Sequence, residues 1–216
     1  MNTAAHNTPA ARTPPRAVIF DLDGVIFDSL AANVAFYNHI LEAIGQPPRA
    51  EEALDIIHRE PMDISMQALV GRGPEYDRAM AYWRTMDSAP FLDLLSLYPY
   101  VRETLDGLRQ RLTLAVATNR TLTARSSLAR FDLLEFFVEV VTPLDAGVPK
   151  PDPALMLLLL ERLRLSPGEV VYVGDTNVDQ GVCEGSGVRL IAFRNPHLRA
   201  WAHVDDFRQI PGLLGL

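Results

Sequence analysis

Lysine is almost missing from this chain: of its 20 basic residues one is lysine, Lys150, and the rest are arginine. Positive charge is also outweighed overall, with 27 acidic residues giving a formal net charge of −7. No basic field is available to hold a nucleic-acid backbone or an anionic membrane, which excludes both as partners. An anionic small substrate has to be attracted locally. The single cysteine, Cys183, excludes an internal disulfide and a multi-cysteine zinc site and fits a reducing, cytoplasmic setting as a packed thiol. Long apolar runs are absent too. The densest, Ala154 through Leu160, is followed at once by Glu161, Arg162 and Arg164, far short of the roughly 18 to 20 residues that span a bilayer; it reads as a buried helix face. Residues 1–15, with Pro9, Pro14 and Pro15, hold no apolar stretch like that of a secretory signal and read as a disordered tail.

Hydrophobic residues make up 48% of the 216, enough to bury a core as one ordinary domain or as a core with a smaller insert. Short aliphatic runs recur at Val18 to Phe20, Leu112 to Ala117, Val138 to Thr142, Val170 to Val173 and Val188 to Phe193. Helix-length segments separate most of them, the pattern of a parallel α/β sheet with crossover helices. The interval from Leu30 to about Leu97 breaks this rhythm, being rich in Ala, Leu, Met, Glu and Arg with no convincing strand. It is expected to be a helical insert. Its first helix should run from Ser29 to about Ile44 and stop at Gly45, Pro47 and Pro48; Pro61, the Gly71-Arg72-Gly73-Pro74 run and Pro90 break up the rest. This divides the chain into a tail (1–15), a core (16–29 and 97–216) and a cap (30–96).

The first strand runs straight into Asp21-Leu22-Asp23-Gly24. Two carboxylates beside an apolar strand end repel each other and lose solvation, so they call for a cation, a shared proton or hydrogen-bond donors. An Asp-rich turn satisfies the same letters. In a parallel sheet, however, residues past the carboxyl ends of strands face the ligand crevice, where a divalent cation can bridge them to a phosphate. Thr118-Asn119-Arg120 ends the second strand before a segment, Thr121 to Arg130, that looks helical. A hydroxyl and free N–H groups there suit an anion or a plain N-cap. Lys150 stands between prolines in Val148-Pro149-Lys150-Pro151, a rigidly placed point charge for a phosphoryl oxygen or a carboxylate. The fourth strand leads into Gly174-Asp175-Thr176-Asn177-Val178-Asp179. Its two carboxylates, four residues apart, can complete an oxygen-ligand Mg2+ site or cap a helix.

Taken in order, Asp21-x-Asp23, Thr118-Asn119, Lys150-Pro151 and Gly174-Asp175-x-x-x-Asp179 resemble the motifs of the haloacid dehalogenase superfamily. The branch resembled is the phosphoglycolate phosphatase-like and β-phosphoglucomutase-like one, and the resemblance covers residues 16 to about 210. It implies a Rossmann-like, three-layer parallel-sheet core with an inserted all-helical cap. It implies a Mg2+-dependent phosphatase acting on a small phosphorylated metabolite, phosphoglycolate-like or a sugar phosphate, as a monomer or homodimer. In that reading Asp21 is the nucleophile and Asp23 the acid and base, while Thr118, Asn119 and Lys150 hold the phosphoryl group. Asp21, Asp23 and Asp175 hold the metal, and Asp179 supports the metal or orients Lys150. Asp23 argues against a dehalogenase, and a cap without lysine against a Schiff-base phosphonatase. A sugar-phosphate mutase shares the core motifs, although Asn33 stands where related enzymes often place a histidine. A non-catalytic binding protein is the third alternative. Arg72, in a cap loop, is the candidate for a second anionic group on the substrate, and Arg120 shares that status. His39 and His58 are read as surface or packing residues.

Overall fold

The computed structural model describes residues 14–216, so most of the expected tail lies outside the described residues. The strands are β1 (Ala17–Phe20), β2 (Phe27–Asp28), β3 (Ser96–Leu97), β4 (Thr113–Ala117), β5 (Glu139–Val141), β6 (Val170–Gly174), β7 (Arg189–Phe193) and β8 (Ala202–Val204). Six of them form one parallel sheet in the order β5-β4-β1-β6-β7-β8. The central strand, β1, is fully buried along its length, as a strand covered on both faces requires. Five of the six strands coincide with the aliphatic runs of the sequence. The sixth, β8, carries no such signal, because Ala-His-Val is too short and too mixed to stand out.

The helices are α1 (Leu30–Ala43), α2 (Leu54–Arg59), α3 (Met62–Val70), α4 (Pro74–Trp83), α5 (Val101–Arg109), α6 (Ala124–Arg130), α7 (Pro143–Ala146), α8 (Ala154–Leu163), α9 (Asn177–Ser186) and α10 (Gln209–Leu213). Alternation along the strands sends side chains to two apolar layers. Val18, Phe20, Val116 and Val173 pack with Leu105 and Leu108 of α5 and Ile210 of α10. Ala17, Ile19, Ala115 and Tyr172 pack with Leu155 and Leu159 of α8 and Val182 of α9. The apolar run in α8 buries Leu155, Met156, Leu159 and Leu160 while Leu157 faces out. No helix among the described residues is long and apolar enough to cross a membrane.

Helices α1 to α4 close on a third apolar cluster of their own, with Tyr37, Ile40, Leu41, Met66, Leu69 and Met80 at its centre. Two chain crossings tie this helical cap to the sheet. At them β2 and β3 pair antiparallel, Phe27 opposite Leu97 and Asp28 opposite Ser96. The interval expected to be free of strand therefore ends in one, formed by two residues that pair only because the chain returns beside its own exit. A second difference lies after β4: α6 begins at Ala124, not Thr121. The N–H groups following Thr118 therefore belong to a loop, not to a helix start.

Candidate active site

Strand register assembles the site. Phe20 pairs with Val116 of β4 and Val173 of β6, so the carboxyl ends of three adjacent strands reach one edge together. Asp21, Thr118 and Asp175 each occupy the position immediately after one of those strands. This is the edge, beside the point where strand order reverses, at which open α/β sheets bind ligands. Gly24 lets the first and third of these loops meet. Its φ is +77°, and a Cβ added to it would lie 2.2 Å from Asp175 Oδ2, so a larger residue meets both a left-handed backbone penalty and a clash.

Lys150 is almost completely buried. Its ammonium lies 2.9 Å from Asp21 Oδ2 and 2.7 Å from Asp179 Oδ1, and donates to the Tyr172 hydroxyl at 2.9 Å. Three donors thus meet three acceptors, the condition under which a buried charge is tolerated. Burial opposes the charge, but the two carboxylates outweigh it and hold the ammonium well above the usual lysine range. The other oxygen of Asp179 accepts from the backbone N–H groups of Asp175 and Thr176 and from the Thr176 hydroxyl at 2.7 Å. Together with the Thr176 hydroxyl on the Asp179 N–H, this is a capping box that starts α9. Tyr172, unnoticed in the sequence, closes the network from inside β6, its hydroxyl 2.9 Å from both Ala117 O and Asp179 Oδ1. The signal was there, a phenol in the otherwise aliphatic Val170-Val171-Tyr172-Val173.

Asp23 meets Arg120 in a two-pronged pair, Nη2 to Oδ1 at 2.5 Å and Nε to Oδ2 at 3.0 Å. Burial raises the Asp23 pKa, yet the Arg120 guanidinium, with smaller contributions from other neighbours, more than offsets it and leaves the group below its ordinary value. The two remaining carboxylates behave oppositely. Burial raises Asp21 to about 7 despite Lys150, with Asp179 and Asp23 adding repulsion. Asp175 is raised well above the ordinary range by burial and by the charges of Asp179 and Asp21. Both keep a buried oxygen, Oδ1, without a hydrogen-bond partner.

These observations fit a hard cation. Asp21, Asp175 and Asp179 each bring a carboxylate oxygen within 4.8 Å of the other two. Four carboxylates here face two cationic side chains, Lys150 and Arg120. A divalent ion suits both the charge and the all-oxygen donors. Asp179 stands within this cluster, but its contacts are those of a group that orients Lys150, since Lys150 and the α9 capping box already engage both oxygens.

Thr118 is buried at the cavity wall and accepts the Arg120 backbone N–H at 3.2 Å. Asn119 lines the cavity, and its side-chain amide is engaged with the next loop: its Oδ1 accepts the Lys150 N–H at 2.8 Å and its Nδ2 donates to the Lys150 carbonyl at 3.2 Å. It staples the Lys150 loop to the end of β4. Arg72 does not line the cavity; it is exposed after α3 and donates from Nε to Gln67 Oε1 at 3.1 Å. Conversely His58, read as a packing residue, points from the cap to the site, with Nε2 3.9 Å from Asp175 Oδ2 and a buried Nδ1 that lacks a partner. Nothing local in the sequence marks it, because only the closure of cap on core brings α2 to this edge.

Comparison with known proteins supplies independent findings. Residues 18–193 match the family model described as haloacid dehalogenase-like hydrolase. A "Phosphorylated carbohydrates phosphatase" of Thermotoga maritima is 31% identical over 180 residues, covering 81% of this chain and 83% of that protein. A "Phosphoglycolate phosphatase" of Pseudomonas putida is 30% identical over 192 residues, covering 83% of this chain and 69% of that one. Among solved structures, a hydrolase of the same superfamily, subfamily IA, variant 1, from Geobacter sulfurreducens superposes with a TM-score of 0.81 at 33% identity. That superposition covers 92% of this chain and 99% of the other.

Proposed function

The chain belongs to the haloacid dehalogenase-like hydrolases, and on that premise we propose that it is a Mg2+-dependent phosphatase of small phosphorylated metabolites, acting through an aspartyl-phosphate on Asp21. The observation that carries this reading is the unpartnered, buried Oδ1 of Asp21, held beside Lys150 at the mouth of the ligand crevice. So placed, the Asp21 carboxylate can act as a nucleophile toward a phosphate.

Asp21 would attack phosphorus in line, forming the Asp21–phosphate bond as the bond to the leaving oxygen breaks. Lys150 offsets the negative charge of the approaching phosphate, and the Thr118 hydroxyl, which accepts from Arg120, keeps its own proton for a phosphoryl oxygen. Asp179, Tyr172 and Asn119 fix the position of Lys150 from three sides. The Asp21 carboxylate, the Asp23 backbone carbonyl and Asp175 would hold Mg2+, which when bound offsets charge between anionic nucleophile and anionic substrate. Asp23 would give a proton to the leaving alcohol, then take one from the water that cleaves the intermediate and frees phosphate. Its pairing with Arg120 keeps it ionised, the form that the second half-reaction uses. For the first half Asp23 has to enter protonated, still within reach of Arg120.

The test is phosphate release from a panel of phosphorylated metabolites with Mg2+. Activity should vanish with EDTA and fall by on the order of a thousandfold or more in Asp21→Asn, the scale of losing a covalent nucleophile. Full activity in the Asn variant would overturn the mechanism.

A further inference from the structure

Above this edge lies a half-open cavity of about 310 Å3 between sheet edge and cap. Its cap wall is apolar and aromatic. Phe36 of α1, Met62 of α3, Trp83 of α4 and Phe91 line it, each partly exposed; the first three pack with one side against the cap's own core and leave another to the cavity. Phe36 and Phe91 stand edge to face with ring centres 5.5 Å apart. From the core side Leu122, 59% exposed, faces the same space.

Charge along this wall has the wrong sign for a second anion. Glu60 and Asp63 are the carboxylates that the cap adds to the lining, and among its described side chains there neither arginine nor lysine appears. His58 is turned to Asp175. The one guanidinium among the described lining side chains, Arg120, is matched on Asp23, and its other Nη donates to the Thr123 hydroxyl at 3.1 Å. Arg72 is outside the cavity altogether. Against the described lining a carboxylate or second phosphate on the leaving group would lose water without gaining a cation, whereas a flat apolar body would gain contact with rings on several sides.

We infer that the substrate is a phosphate monoester whose alcohol is uncharged and carries an apolar, ring-sized body seated against Phe36, Trp83 and Phe91. The inference rests on the phosphatase reading and narrows it.

Three primary alkyl phosphates separate the possibilities: benzyl phosphate, ethyl phosphate and 2-phosphoglycolate, each assayed with the full chain and Mg2+. Benzyl phosphate should exceed ethyl phosphate in kcat/KM by roughly tenfold or more, the scale of burying one phenyl ring, and 2-phosphoglycolate should fall below both. In Met62→Lys, which sets a cation on a partly exposed wall position, 2-phosphoglycolate should gain about tenfold relative to ethyl phosphate, the scale of one new charge-assisted contact. Hydrolysis of all three without a benzyl preference, or with 2-phosphoglycolate foremost, overturns the inference and leaves the phosphatase reading standing. So do unchanged selectivities in Met62→Lys. Silence on all three esters overturns both.

Discussion

The core and the cap handle buried polarity differently. In the core, Asp21, Thr118, Lys150, Thr176 and Asp179 are buried together at one sheet edge, and hydrogen bonds and ion pairs link most of them. Among the described residues of α1 to α4 the buried side chains are apolar, Tyr37 and Ser65 excepted. A buried network of charges has one arrangement that satisfies all its members, so it fixes atoms to within a fraction of an ångström. An apolar cluster tolerates repacking. In the proposed function the core is thus the half that would decide whether phosphoryl transfer occurs, and the cap the half that would decide on what.

The largest effect should come from Lys150→Met. It leaves Asp21 and Asp179 facing each other in a dry site, and breaking a buried ion pair costs about 3–5 kcal/mol. For a chain of this size that lowers the unfolding midpoint by about 10 °C, together with a hundredfold or greater loss of kcat, the order of losing one electrostatic stabiliser. Adding Asp179→Asn should recover part of the stability and none of the activity. A loss confined to KM would break the comparison, since Lys150 would then be acting as a specificity residue.

Gly24→Ala tests whether the close approach of two core loops is required. The methyl group meets a positive φ and Asp175 Oδ2 together, so strain of about 1–3 kcal/mol should be accompanied by displacement of Asp175. Mg2+ activation should then weaken by about tenfold or more, as when a group that holds a ligand in place is lost. Normal activation with lowered stability would show that Asp175 can retreat without harm.

The same contrast explains how much could be read from sequence alone. Asp21, Thr118 and Asp175 were legible because a parallel sheet ties residue order to spatial position: the residues just past an aliphatic run lie at the ligand edge. Lys150 was legible through rarity. His58 and Phe36 were not, because a helical residue faces the site or the solvent according to how its helix packs. Asn119 was legible as a site residue, but its bond to the Lys150 loop was not, since that bond spans 31 positions and no local pattern encodes it.

A metal-dependent stability difference is expected to be smaller, and should be absent from any site held by neutral contacts. Burial lifts the Asp21 pKa to about 7, above its ordinary value of 3.8, and Asp175 moves the same way. The metal-free folded state therefore binds protons that the unfolded chain has already released, and these groups cost stability progressively as pH rises from about 4 through 7. Mg2+ needs both carboxylates ionised. Its stabilisation in thermal unfolding should accordingly be small at pH 5 and grow to about 5–10 °C at pH 8 under strong excess, the linkage expected at roughly a hundredfold over Kd. An equal gain at both pH values would mean that the ion binds elsewhere.

Arg72→Ala should do least. Its side chain is exposed, it donates to Gln67, and it is absent from the cavity wall. Substitutions at such positions stay within about 0.5 kcal/mol, so both the unfolding midpoint and kcat/KM should hold within about twofold for neutral and anionic esters alike. A loss of tenfold or more confined to 2-phosphoglycolate would show that cap closure carries the Gly71-to-Pro74 loop over the bound ester. The cap would then supply the cation that its inner wall withholds, and the division of labour between the two halves would have to be redrawn around a moving loop in place of a fixed apolar wall.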